Sequence, residues 1–153
     1  MPARSSFDYA LVRVVPRVER QEFVNAGVIL FCLQRDFLQA RVEMDEARLR
    51  ALWPEADVEL VRQHLEAIPR ICAGDPDAGP IARLSLRERF HWLVSPRSTM
   101  IQVSPVHSGL CDDPARALDD LFRQMVERPP ASRARPARTD LDTAAGGQPP
   151  QDV

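Results

Sequence analysis

Apolar and polar positions change their spacing along the chain, and the changes mark out elements. Phe7 to Val15 (Phe-Asp-Tyr-Ala-Leu-Val-Arg-Val-Val) is rich in β-branched and aromatic residues and predicts a strand. Pro16 to Glu22 is polar and suits a hairpin loop. Phe23 to Leu33 is almost continuously apolar, as expected of a central strand covered on both faces. After a turn at Gln34-Arg35-Asp36, Phe37 to Met44 alternates cleanly, with Leu38, Ala40, Val42 and Met44 on one side. These segments predict a three-strand N-terminal meander.

The spacing then becomes helical. Asp45 is placed to cap a short helix running through Leu49 and Leu52 to Trp53 and stopped by Pro54. Asp57 is placed to cap a second, with Val58, Val61, Leu65 and Ile68 on one stripe and Pro69 expected to end or kink it. Ala73 to Pro80 reads as a loop. Ser85 and Glu88 have capping-box spacing and open a helix through Phe90 and Trp92. Ser98 to Val106 returns to extended structure as a fourth strand. Asp113-Pro114 begins a last helix whose apolar face is Leu118, Leu121, Phe122 and Met125. The expected fold is α+β: a mostly antiparallel sheet of about four strands with helices packed on it.

Near Glu127 the pattern stops. Residues 129–153 hold five prolines and no aromatic residue, too little apolar surface to offset the entropy of ordering, so this segment is expected to be a disordered tail behind a single domain at 1–128.

Composition narrows the chemistry. With 44% apolar and 27% charged residues the chain resembles a soluble globular protein, and no apolar run approaches the ~18 residues that cross a bilayer. Asp8 and Arg13 interrupt the opening segment, so no secretory signal is expected and a cytoplasmic setting follows. A formal net charge of −2 argues against nucleic-acid binding, whether through Arg17 and Arg20 or through Arg133, Arg135 and Arg138. All 20 basic residues are arginine. A Schiff-base lysine for pyridoxal phosphate and a phosphate-loop lysine are thereby excluded, and no Gly-x-Gly-x-x-Gly, His-Glu-x-x-His, Gly-x-Ser-x-Gly or Cys-x-x-Cys occurs. No cofactor is expected. Cys32, Cys72 and Cys111 read as reduced thiols; a metal site from Cys72, His107 and Cys111 lacks a second tight ligand pair.

Residues of the first hairpin carry a resemblance. Tyr9, Val12-Arg13, Pro16, Arg20, Glu22-Phe23-Val24-Asn25, Gly27-Val28 and Leu30-Phe31, with Ser104-Pro105-Val106-His107 and Gly109-Leu110 later on, resemble the bacterial domain-of-unknown-function 3037 family. The resemblance spans about residues 7–127. It brings no established activity and no catalytic residues; it implies a small cytosolic protein with a possible kinase-like partner of the HipA type.

The hairpin also supplies a candidate site. A symmetric closure places Val15 opposite Phe23, Arg13 opposite Asn25 and Leu11 opposite Gly27, with Arg13 and Asn25 directed to the core layer. A buried guanidinium needs acceptors, and Glu22, Glu19 and Asn25 are the nearest in sequence. One reading is a structural Arg–Glu–Asn network, with Gly27 allowing a helix to pack closely. The other is an anion site formed by Arg13, Arg20 and Asn25, with Gly27 letting the ligand approach the backbone. Glu22 and His107, the latter expected on a loop, are candidate acid–base groups. Ser98 and Thr99 after Arg97 suit either a phosphate oxygen or a strand entry. His64 reads as a boundary residue, and His91 has no obvious partner. Two functions follow: a protein-interaction or ligand-binding accessory module, for which Trp53 and Trp92 supply hot-spot residue types, or a small hydrolase or transferase acting on an anionic substrate.

Overall fold

Five strands and four α-helices follow one another as β1 (Ser5–Val14), β2 (Val24–Cys32), β3 (Phe37–Val42), α1 (Glu46–Leu52), α2 (Val58–Ala73), α3 (Leu86–Leu93), β4 (Ile101–Val103), β5 (His107–Cys111) and α4 (Pro114–Met125). They are seen in a computed structural model that describes residues 3–129. The expected tail at 129–153 lies, beyond Pro129, outside the described residues.

All strand pairings are antiparallel, in the order β3-β2-β1-β4, with β5 also pairing β1. The α+β reading therefore stands, with five strands in place of about four. The additional strand arises where a single Ser98–Val106 segment was expected. β4 pairs Val12 to Val14, and β5 pairs Ser5 to Tyr9, so the two lie in line along one edge of β1. Pro105 brings no N–H to a ladder. Ser104 spans the break: its N–H donates to Leu11 O at 2.8 Å, and its buried Oγ accepts the Leu11 N–H at 2.8 Å. His107, expected on a loop, consequently begins β5, opposite Tyr9.

Each face of the sheet has its own core. Val12, Val14, Ile29, Phe31 and Leu38 pack under α1, α2 and α3 through Leu49, Val61, Leu65 and Phe90. Phe7, Val28, Leu30 and Cys32 pack under α4 through Leu118 and Phe122. The near-continuous apolar run of β2 is thus explained by burial on both faces.

Helix ends follow the sequence signals. Asp45, Asp57 and Asp113 accept the expected capping hydrogen bonds, and Ser85 with Glu88 completes a capping box. Pro69 was expected to end or kink α2; it does not end it, and the helix continues to Ala73. Ile71 and Cys72 beyond it are buried in the core, so packing outweighs the missing hydrogen bond. Arg89 Nη1 adds charged hydrogen bonds to Ile71 O (3.1 Å) and Cys72 O (2.8 Å), holding the last turn.

Candidate functional site

The position of Arg13 is decided by one residue on the neighbouring strand. Arg13 does face Asn25, and Val14 faces Val24. Between Val12 and Arg13 the register shifts, so Val12 pairs with Gly27 and Leu11 with Val28 rather than with Gly27. Ala26 is the extra residue of this bulge, and its carbonyl accepts the Glu43 N–H at 2.7 Å. Side chains alternate strictly along a strand, so a one-residue bulge exchanges faces beyond it. Arg13 and Asn25 accordingly stand on the α4 side of the sheet and not with Ile29 and Phe31 on the three-helix side. Asn25 Nδ2 donates to Met125 O, at the end of α4, at 3.2 Å.

Gly27 serves this geometry. A Cβ there would lie 2.7 Å from Val42 Cγ1 and 2.8 Å from Arg41 O. The close approach is to the backbone of β3, and neither a helix nor an open ligand channel occupies that space.

The expected Arg13–Glu network is not formed. Glu22 pairs with Arg20, and Glu19 with Arg17 at 2.8 Å, so each acid of the loop is taken by a loop arginine. Glu19 is held below its ordinary carboxylate range, first by its own backbone N–H and then by Arg17. Arg13, half-buried, lays its guanidinium over the Phe23 ring, 4.3 Å from the centroid. Its Nε is buried without a hydrogen-bond partner, and so is Asn25 Oδ1. Among the described residues Arg13 has no carboxylate within ion-pair distance.

Facing Arg13 is a part of the chain that the sequence placed nowhere near it. β4 brings Gln102 directly opposite Arg13. The loop before β4 brings Arg97 and Ser98. Together with Gln21 and Phe23 these residues line a cleft of about 370 Å³ that contains no carboxylate. Arg97 stacks over Trp92, 3.9 Å from the ring centroid, and Nη2 donates to Trp92 O at 2.8 Å. That leaves it positioned but without a counter-charge among the described residues. Two guanidiniums, two amides and a hydroxyl around one cleft form a donor set suited to an oxyanion such as phosphate or carboxylate.

The other candidates stand elsewhere. Arg20 and Glu22 neutralise one another on the loop. His107 is exposed and tilted against Tyr9, at 5.5 Å between ring centroids. Its partner Tyr9 is four residues along β1 from Arg13, roughly 13 Å at the rise of a strand, beyond the reach of shared acid–base chemistry. Cys72 and Cys111 belong to the cores on opposite faces of the sheet, so they do not meet His107 as a ligand set. Burial pushes the Cys72 thiol up to about 12. Ser98 and Thr99 after Arg97 were readable as phosphate-type donors; Ser98 and Arg97 line the cleft with Arg13 and Thr99 does not, and the pairing of the first and fourth strands, which brings this loop to Arg13, has no local signal in the sequence.

The family described as a protein of unknown function, DUF3037, matches residues 9–126. No curated protein and no solved structure matches the chain.

Proposed function

The chain belongs to the DUF3037 family, whose description assigns no activity, and from that footing we propose that it is a ligand-binding module recognising a small anion in the cleft between Arg13 and Arg97. One observation carries the reading: a half-buried guanidinium is held against an aromatic ring with Nε unpartnered, although four acidic or basic loop residues nearby pair among themselves. Desolvating a guanidinium donor without a partner is unfavourable. A bound oxyanion supplies the missing acceptor. Arg13 offers a fork, Arg97 a second positive charge, and Gln102 and Ser98 neutral polar contacts.

Thermal unfolding in inorganic phosphate, sulfate and acetate tests this, with sodium chloride at matched ionic strength as reference. A rise that grows with the logarithm of anion concentration above Kd is expected, reaching about 2.7 kcal/mol at one hundred times Kd, and it is lost in Arg13→Gln. An equal rise in chloride, or one that persists in Arg13→Gln, contradicts the assignment.

A protein partner is the second reading, including the kinase-like neighbour implied by the family resemblance. It draws on Trp92, which is 36% exposed with Arg97 stacked upon it, a pairing of residue types enriched at interface hot spots. The hydrolase or transferase reading lacks a comparable observation, since Glu22 is engaged by Arg20 and His107 lies along the strand from Arg13.

A further inference from the structure

Arg97 and Gln102 belong to two cavities. Besides the cleft with Arg13 they line a second one, of about 320 Å³, between α2, α3 and β4 on the three-helix side of the sheet. Its walls are apolar: Ile68, Ile71 and Leu93 are core residues, and Ala67, Met100 and Val103 are partly buried. No carboxylate lines it. Its polar groups include His64 on α2, Ser95, and Arg97 on its Trp92 platform. Apart from the Nη2 bond to Trp92 O, Arg97 makes no hydrogen bond among the described residues. A volume of this size lies in the range of small-molecule sites, and at about 30 Å³ per water-sized group it admits on the order of ten non-hydrogen atoms.

We propose that this cavity receives the apolar body of an organic monoanion whose acid group is held at its rim by Arg97. The inference rests on the anion reading of the Arg13–Arg97 cleft and deepens it, because Arg97 is the charge common to both cavities. Three features converge on that ligand class. The apolar walls select a hydrocarbon or ring. An arginine without a counter-ion selects an acid over an amine. The stacked Trp92 fixes the guanidinium, so less side-chain freedom is lost on binding than for an unsupported arginine.

Straight-chain carboxylates from acetate to octanoate, titrated calorimetrically at constant ionic strength, are the test, with 1-octanol as the uncharged control. Affinity is expected to rise about fourfold for each methylene that enters the cavity. Octanol is expected to bind at least tenfold more weakly than octanoate. Arg97→Gln is expected to weaken every carboxylate by about tenfold or more while leaving the chain-length increment intact. Ala67→Phe, which fills the cavity from α2, is expected to abolish the increment; Ala67→Leu shortens it, and circular dichroism verifies that both variants fold. Octanol binding as tightly as octanoate overturns the role of Arg97. Chain length without effect, while phosphate still stabilises through Arg13, overturns this inference and leaves the anion reading standing. If neither phosphate nor octanoate binds, both fall.

Discussion

At Arg13 the charge has no acid beside it, and that has a measurable consequence. Removing one partner of a buried ion pair typically costs about 3–5 kcal/mol, because the other charge is stranded. Arg13 strands nothing when it leaves. It gives up only its contact with Phe23, worth about 0.5–1 kcal/mol. Arg13→Gln is therefore expected to unfold in urea within about 1 kcal/mol of the parent protein. A loss of about 3 kcal/mol or more would signal a structural network instead. Gly27 behaves oppositely. In Gly27→Ala the new methyl group meets Val42 Cγ1 and the Arg41 carbonyl at under 3 Å, and the ladder between β2 and β3 must shift. Overpacking of this kind costs about 1–3 kcal/mol, which the same urea titration reads as a lower midpoint. The Arg13–Asn25 pairing was legible from the length of the loop between them. The face they occupy was not, because it is set by the Ala26 bulge, whose carbonyl accepts the Glu43 N–H from beyond β3, and a single strand carries no trace of that contact.

Helices and their ends were the most legible elements, since Asp45, Asp57, Ser85 and Asp113 cap by local chemistry. Of the two effects expected of Pro69, ending the helix does not occur, because the turn that follows it is buried in the core. The last turn of α2 is held from α3 by Arg89, whose position eighteen residues from Ile71 gives no warning of the contact. Arg89→Ala removes charged hydrogen bonds to two carbonyls and is expected to lower stability by about 1.5–3 kcal/mol in urea unfolding. At the start of α1, Arg128 Nε and Nη2 reach Asp45 at 2.5 and 2.7 Å. Arg128, followed by the Arg48 N–H, lowers the Asp45 carboxyl from 3.8 to about 2. A carboxyl lowered on folding stabilises the fold above its ordinary range, and that contribution fades as pH falls from about 4 to about 2. Asp45→Asn keeps a good capping residue without the charge. Its stability is expected to decline less steeply than the parent's across that window, measured by urea unfolding at pH 5, 4, 3 and 2. Parallel declines would place the charge of Asp45 outside the linkage.

On the scale of the whole molecule, the sheet separates two cores and gathers candidate chemistry at one edge. The meander and the α+β class followed from hydrophobic period alone. The site did not, because β4 joins the sheet across about ninety residues of chain and brings Gln102, Ser98 and Arg97 to a strand at the other end of the sequence. Local patterning reports which face of an element is apolar, and it is silent on which distant element completes an edge. The broken edge itself, β4 and β5 in line around Ser104-Pro105, is what places Arg13 beside the Arg97 loop and His107 farther down the strand. The most direct measurement is a nitrogen-resolved NMR titration of the arginine Nε–Hε groups with inorganic phosphate at constant ionic strength. The Arg13 and Arg97 signals are expected to move together along one saturable curve, while those of Arg17 and Arg20, already paired with Glu19 and Glu22, stay nearly fixed. Arg13 remaining still while phosphate moves the exposed loop arginines would contradict the assignment of the cleft.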